Sequence, residues 1–436
     1  MCGIAGAAWF GQELRLSESV LGRMMQRLEH RGPDEKGRYR SPANAEASSA
    51  DGGVMLGFQR LAIIDVATGQ QPVGNQDGSV QVVFNGEIFN YRELREQLQS
   101  QGYRFRGQSD SEVIPHLYQA IGADCFGHFN GMFAIGLWDA TQQALLLARD
   151  PMGKKPLYYH HQPGRLVFAS ELKSLLEVPG IERRIDPEAL DLFLALGYIP
   201  HPWTIYRGVR KLAPGELARF DRSGLHRSFF WQLSANQQTG VRPSEAAEQL
   251  RWLLTDSVRL RLQSEVPLGA FLSGGIDSSL VVAIAQRLLA EQGERLQTFS
   301  IGFAESSYDE TGYARQVADH LGTAHTRFEV GPQQLGQLEE IVAHYDEPFG
   351  DSSALPTWAL SKLTRTRVTV ALSGDGGDEL FAGYDRYRAL RLSQRLAGWL
   401  PLRSLLGSRW FQGLPTPDRQ RSTLRRLQRF GAALGE

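Results

Sequence analysis

The sequence predicts two domains of different class: a sheet-rich α+β domain over residues 2–220 and a parallel-sheet α/β domain over residues 246–436. Three observations carry this. Residues up to about 220 hold short alternating or β-branched runs broken by Gly, Asn and Pro. Further on, strand-like runs alternate with helical ones, the order that builds a doubly wound parallel sheet. Between the two, residues 221–245 include WQLSANQQTGVRPSE, a polar stretch that reads as a linker.

In chain order, VQVVFNGEIF (80–89), MFAIGLWD (132–139), ALLLARD (144–150) and RLVFAS (165–170) read as strands. YRELREQLQSQG, from Tyr91, reads as a helix closed by a glycine. In the second domain PLGAFL (267–272) is a strand, followed by a helix from about Asp277 with Leu280, Ile284 and Leu288 at helical spacing. LQTFSIGF (296–303) is the next strand, and a helix carrying Ala314, Val317 and Leu321 ends at Gly322. RFEV (327–330) and RVTVALSG (367–374) are two more strands with a helix between them. From Arg386 onward eleven arginines stand against two acids, Asp418 and Glu436, interleaved with Leu and Trp. That pattern predicts amphipathic helices packed on the second domain, with membrane-surface or nucleic-acid contact as the other reading.

Over 436 residues the formal net charge is −1, which gives no global electrostatic case for nucleic acid. Cys2 and Cys125 are the only cysteines, so there is no disulfide framework, and a reducing, cytoplasmic compartment fits. The N-terminus lacks the basic and long apolar regions of a signal peptide. No run approaches the ~20 apolar residues of a membrane span.

MCGIAG places a cysteine directly after the initiator Met1. Its small side chain leads us to expect removal of Met1, after which Cys2 carries both a thiol and an α-amine. An amine titrating near ~8 can serve as general base for its own thiol. An inert terminal cysteine is the competing reading. In VVFNGEIFN the Asn85-Gly86 pair joins two β-prone runs, a hairpin signal. An Asn amide and a Gly N–H are equally suited to an oxyanion hole. Arg60 and Asp110 are opposite charges near predicted element ends, either solvated or paired to the two charges of a free amino acid.

Two later loops share a Ser-Gly theme. SGGIDSS places Ser273, Gly274 and Gly275 after a strand, with Asp277 and Ser278 at a helix start, where N–H groups favour an anion. It lacks the Lys of a Walker A loop, and a plain strand-to-helix turn is the alternative. SGDGGDE supplies Ser373, Gly374, Asp375, Asp378 and Glu379 after another strand. In an open α/β sheet both loops could face one crevice, with Asp277 and Asp378 as hard oxygen ligands for Mg2+. The acidic spacing does not match an EF-hand.

MCGIAG, HRGPD, QRLAIID, FNGEIFNY, SDSEVI, FNGMFAIGLWD and RDPMGKKPLYY, in that order, resemble the glutaminase domain of class II glutamine amidotransferases. SGGIDSS resembles the pyrophosphate loop of the ATP-pyrophosphatase family. With LGYIPHPWTIYRGVRKLAPGE, FSIGF and YDEPFGDSSALPT, the combination resembles the glutamine-hydrolysing asparagine synthetase family over roughly residues 2–388. The resemblance implies an α+β N-terminal-nucleophile (αββα sandwich) glutaminase domain followed by an α/β parallel-sheet ATP-pyrophosphatase domain. It implies that Cys2 attacks glutamine and that Asn85 and Gly86 hold the oxyanion. Arg60, Leu61, Ala62, Ile63, Ile64, Glu87 and Asp110 would join Asn85 and Gly86 in binding glutamine. Leu272, Ser273, Gly274, Gly275, Asp277, Ser278, Ile301, Ser373 and Gly374 would contact ATP, with Mg2+ on Asp277 and Asp378 and with Asp375 near the adenylation centre. Ammonia would pass internally to a β-aspartyl adenylate, giving asparagine, AMP and pyrophosphate. A homodimer is compatible with the family. Lys154 stands where the family is usually apolar, and Asp375 where many members have Glu. Family members usually run longer than this chain. The sequence therefore leaves open another carboxylate acceptor, or a glutaminase joined to an incomplete synthetase half.

Overall fold

The computed structural model describes residues 1–41, 52–234, 240–303, 311–330 and 337–396, with Ser408, Phe411 and Gln428 beyond them. The Arg-rich reading falls mostly outside the described residues, apart from the helix Asp385–Leu396.

Twelve strands form the first part: β1 (Gly3–Trp9), β2 (Glu35–Arg40), β3 (Gly53–Arg60), β4 (Val73–Gly74), β5 (Val80–Ile88), β6 (Gly131–Asp139), β7 (Ala144–Arg149), β8 (Tyr158–Gln162), β9 (Arg165–Ala169), β10 (Val209–Lys211), β11 (Glu216–Asp221) and β12 (Gly224–Phe229). They make two six-stranded sheets, ordered β10-β8-β9-β1-β3-β2 and β12-β11-β7-β6-β5-β4. The period-2 alternation of each strand builds the layers. On β1, Ile4 and Ala8 face the core between the sheets, where Phe58, Trp138 and Phe168 also lie. Ala5, Ala7 and Trp9 face the opposite way, onto a core that includes Val20, Leu21, Met24 and Met25 of the helix Glu18–Gln26. The second sheet is covered on its far side by the helices Tyr91–Ser100 and Val113–Ile121. The result is an αββα sandwich, as expected.

Strand β1 is buried along its whole length and lies between β9 and β3. At Gly6 there is no room for a side chain. A Cβ on Gly6 would stand 2.7 Å from the ring of Phe168. Strand β12 pairs with β11 along residues 224–229, so the second sheet takes in part of the segment read as linker.

The second part carries a four-stranded all-parallel sheet, ordered β15-β14-β13-β16, from β13 (Leu268–Phe271), β14 (Gln297–Phe303), β15 (Ala324–Val330) and β16 (Val370–Leu372). The predicted strands are all present. Among the described residues between β15 and β16 there are two helices, Leu338–Tyr345 and Ala354–Thr364, where the sequence suggested one. In the helix Ile276–Ala290 the buried face is Val282, Ile284, Ala285 and Leu288. Leu280, expected in that face, is 42% exposed, because it lies on the open groove against Leu250 and Leu254 of the helix Pro243–Arg261. Among the described residues no helix is long and apolar enough to cross a membrane.

Candidate active site

Cys2 immediately precedes β1, so a residue at the chain terminus is set at the head of an interior strand. Its sulfur accepts the Leu61 N–H at 3.4 Å and lies 3.6 Å from the Leu61 carbonyl oxygen. Arg31 Nε donates to the Cys2 carbonyl at 3.0 Å, fixing the backbone from the other side. Burial pushes the thiol pKa up, against the Leu61 N–H, the terminal amine and Lys155, which favour the thiolate. Met1 as a residue is half exposed, yet desolvation takes its α-amine down to about 5, with Arg31 and Lys155 adding to the fall. The Met1 amine is therefore mostly neutral at pH 7.

One pocket is lined by Cys2, Arg60, Leu61, Ile63, Ile64, Asn85, Gly86, Glu87, Asp110 and Lys155. Of the residues expected at the amide site, only Ala62 is outside this lining. Its N–H donates to Asp34 Oδ2 at 2.9 Å. Asn85 and Gly86 do not turn a hairpin. They continue β5, opposite Ala134 and Phe133 of β6, in an unbroken antiparallel register. Gly86 is needed for closeness and not for a left-handed turn, since a Cβ there would run into the Met132 carbonyl. Asn85 is 1% exposed, and among the described residues neither its Oδ1 nor its Nδ2 has a hydrogen-bond partner. An amide in a pocket wall with no protein partner is a donor free to bond a ligand.

Two carboxylates share the pocket. Burial raises the pKa of Glu87, against the pull of Lys155 and Arg261. Asp110 is pushed up to about 7 by burial, with Glu87 adding to the rise, although its Oδ2 accepts the Ile88 N–H at 3.0 Å. Such a pair suits an ammonium group. Arg60 forms part of the wall, but its guanidinium is occupied: Nη1 bonds Glu35 at 2.8 Å and the Val66 carbonyl at 3.1 Å, and Nη2 bonds the Asp65 carbonyl at 2.5 Å. Loop 61–66 is thus held by its carbonyls from the first domain. The second domain grips its N–H groups, through Glu265 to Asp65 at 2.9 Å and Val66 at 3.1 Å.

The two Ser-Gly loops meet at the carboxyl ends of neighbouring parallel strands, β13 and β16. Gly274 has φ +84 and leaves no room for a side chain, with the Ala314 backbone nitrogen 2.6 Å from where its Cβ would be. Ser273 Oγ accepts the Gly275 N–H at 3.2 Å and lies 2.9 Å from Ser278 Oγ, closing the loop over the helix start. Gly374 packs on the backbone of that first turn, and Gly377 packs against the Asp277 carboxyl. Asp277 and Asp378 therefore lie in the first turns of adjoining helices, Ile276–Ala290 and Gly377–Phe381. Among the described residues neither carboxylate has a hydrogen-bond or ion-pair partner, a donor set that fits a hard divalent cation completed by phosphate oxygens. Ser373 Oγ donates to Asp375 Oδ2 at 2.9 Å. Leu272 is buried at the end of β13, its N–H bonded to Phe299 of β14, the strand that carries Ile301.

Residues 1–231 match the glutamine amidotransferase domain family, and residues 249–436 match the asparagine synthase family. The chain is 38% identical over 404 residues to a putative asparagine synthetase [glutamine-hydrolyzing] 2 of Methanocaldococcus jannaschii, covering 88% of this chain and 76% of that one. The chain belongs to the glutamine-hydrolysing asparagine synthetases. Two other synthetases of the family are also 38% identical. Asparagine synthetase [glutamine-hydrolyzing] 1 of Bacillus subtilis is matched over 85% of this chain and 56% of its own length. The putative Mycobacterium tuberculosis asparagine synthetase is matched over 98% and 67%.

Sequence reasoning missed Lys155, a buried cation in the wall of this synthetase's first pocket, while weighing its neighbour Lys154. The available signal was its place between Lys154 and Pro156, in a loop whose backbone is pinned on both sides. Asp150 accepts the Lys155 N–H at 2.9 Å, and Arg149 Nε donates to the Lys155 carbonyl at 2.8 Å. Glu265 carried no signal at all.

Proposed function

We propose that the first domain hydrolyses glutamine at Cys2 and that the second amidates aspartate with the ammonia, through a β-aspartyl adenylate, releasing AMP and pyrophosphate. The observation that carries this reading is the unpartnered Asn85 amide in the same pocket as Cys2, Glu87 and Asp110. Glutamine enters with its α-ammonium on Glu87 and Asp110 and its side-chain carbonyl toward Asn85. With Met1 removed, the Cys2 α-amine takes the thiol proton. The sulfur adds to the amide carbon, and the oxyanion rests on Asn85 Nδ2 and the Gly86 N–H. Collapse expels ammonia, which leaves with the proton held by the amine. Water then hydrolyses the thioester.

At the second site the aspartate β-carboxylate displaces pyrophosphate from the α-phosphorus of ATP. Ammonia displaces AMP from the resulting mixed anhydride. The Gly274 N–H and those of the first turn of the helix Ile276–Ala290, whose start has no side-chain cap, hold phosphate oxygens, favoured by the helix dipole. Mg2+ on Asp277 and Asp378 would offset the charge of the departing pyrophosphate. The deciding experiment is pyrophosphate release from ATP by this 436-residue chain, with ammonia supplied directly and aspartate present or omitted. Release that requires aspartate is the expected outcome. Pyrophosphate release that is indifferent to aspartate rejects it as acceptor.

The raised pKa of Asp110 makes a pH prediction. The α-ammonium of glutamine needs ionised carboxylates, so KM for glutamine should rise as pH falls below about 7, by up to about tenfold per unit. Stability runs the other way. The folded ligand-free protein holds this proton more tightly than the unfolded chain between the ordinary carboxyl value of 3.8 and about 7, so stability is lost as pH rises across that window. Asp110→Asn should accordingly raise Tm at pH 8 by a few degrees, on the order of 2–4 °C, while abolishing saturation by glutamine. A flat KM between pH 5.5 and 8 would exclude the role given to Asp110.

A further inference from the structure

We propose that Asp346, a residue of the second domain, positions the Cys2 backbone in the first domain through a relay of Lys173, Glu171 and Arg31. The proposal rests on the reading of Cys2 as the glutamine nucleophile. Each link is a short polar contact. Arg31 Nε donates to the Cys2 carbonyl at 3.0 Å, and Arg31 Nη1 pairs with Glu171 Oε1 at 2.7 Å. His30 Nε2 lies 3.1 Å from the same Glu171 oxygen. Lys173 Nζ stands 3.1 Å from Glu171 Oε2 and 3.7 Å from Asp346 Oδ1. The Lys173 N–H donates to both Asp346 oxygens, at 3.2 and 3.1 Å, and Lys173 Nζ bonds the Ala343 carbonyl at 2.8 Å.

Charge and burial give the relay its direction. The side chains of Arg31, Glu171 and Asp346 are 9%, 8% and 7% exposed, so water screens little of the interaction. Without Asp346 the first domain sets two fixed cations, Arg31 and Lys173, against one carboxylate, Glu171. Asp346 supplies the second negative charge beside Lys173, which bridges it to Glu171 Oε2, while Glu171 Oε1 is left to orient Arg31. Asp346 also has φ +69, a left-handed backbone that non-glycine residues seldom adopt, and Asp is one of the few that tolerate it. The carbonyl gripped by Arg31 belongs to the residue whose sulfur must reach the amide carbon. A displacement of about 1 Å there costs on the order of 100-fold in rate.

The test uses the full chain and Asp346→Asn, which keeps the shape and the left-handed backbone but removes the charge. The expected result is a fall of about tenfold in kcat for glutamine hydrolysis, with KM within about twofold and ammonia-driven pyrophosphate release unchanged. Lys173→Met should show the same fall, and the double variant no further one. An unchanged kcat, additive losses, or an equal fall in the ammonia-driven rate each overturn the relay. A wild-type chain that does not hydrolyse glutamine fails the reading of the pocket, and the relay with it. That outcome differs visibly from an active wild type whose variant is unaffected.

Discussion

Cys2→Ala should abolish glutamine hydrolysis and leave ammonia-driven pyrophosphate release intact. The expected loss is at least about 10⁴-fold in kcat, because removal of a covalent nucleophile leaves only binding and oxyanion stabilisation. The structure gives reasons to expect a clean separation. Arg31 holds Cys2 at the head of β1 through the backbone carbonyl, a contact that Cys2→Ala keeps, and only the Leu61 N–H bond to the sulfur is lost. The loops carrying Ser273 and Ser373 lie at the ends of β13 and β16, in a different sheet. Cys2→Ser is the sharper variant. It keeps a hydrogen-bonding atom beside Leu61, but a serine hydroxyl ionises far less readily than a thiol. Retained glutaminase activity in Cys2→Ala would remove the cysteine from the mechanism. Loss of ammonia-driven activity in the same protein would instead show that the substitution disturbs the second domain.

What could be read from the sequence was whatever leaves a local trace. Alternation along residues 80–89 and 132–139 marked β5 and β6, and the order of strand and helix after residue 265 marked a parallel sheet. Cys2, Asn85 and Asp110 could be singled out together because each lies in a short ordered motif, and the pocket lining brings them together. What the sequence hid was mostly set by tertiary context. Asn-Gly is a turn signal only where the chain is free to turn, and here β6 holds both residues in register while the Met132 carbonyl excludes any larger side chain at Gly86. Leu280 follows the helical spacing of a core face but points to the margin of a groove. Contacts across domains leave no trace at all: Glu265 on loop 61–66 and Asp346 on Lys173 join residues separated by 173 to 200 positions.

Asn85→Ala should lower kcat for glutamine hydrolysis by about 10²–10³-fold, the usual consequence of deleting one oxyanion donor, with KM changed far less. The direction of its effect on stability distinguishes this from damage to the fold. Among the described residues the Asn85 amide has no protein partner for either polar atom, so it contributes little hydrogen-bond energy to set against the cost of its burial. Replacing it by Ala removes that cost and leaves a small gap beside β6, two effects of opposite sign and similar size, so Tm should move by no more than about 3 °C. A purely structural asparagine, whose amide ties strands together, would lose stability and activity in step. The measurement is therefore kcat, KM and Tm on one preparation. A large loss of kcat at near-constant Tm assigns Asn85 to the developing oxyanion. A fall in Tm of 10 °C or so, with activity lost only through unfolding, would return it to the fold.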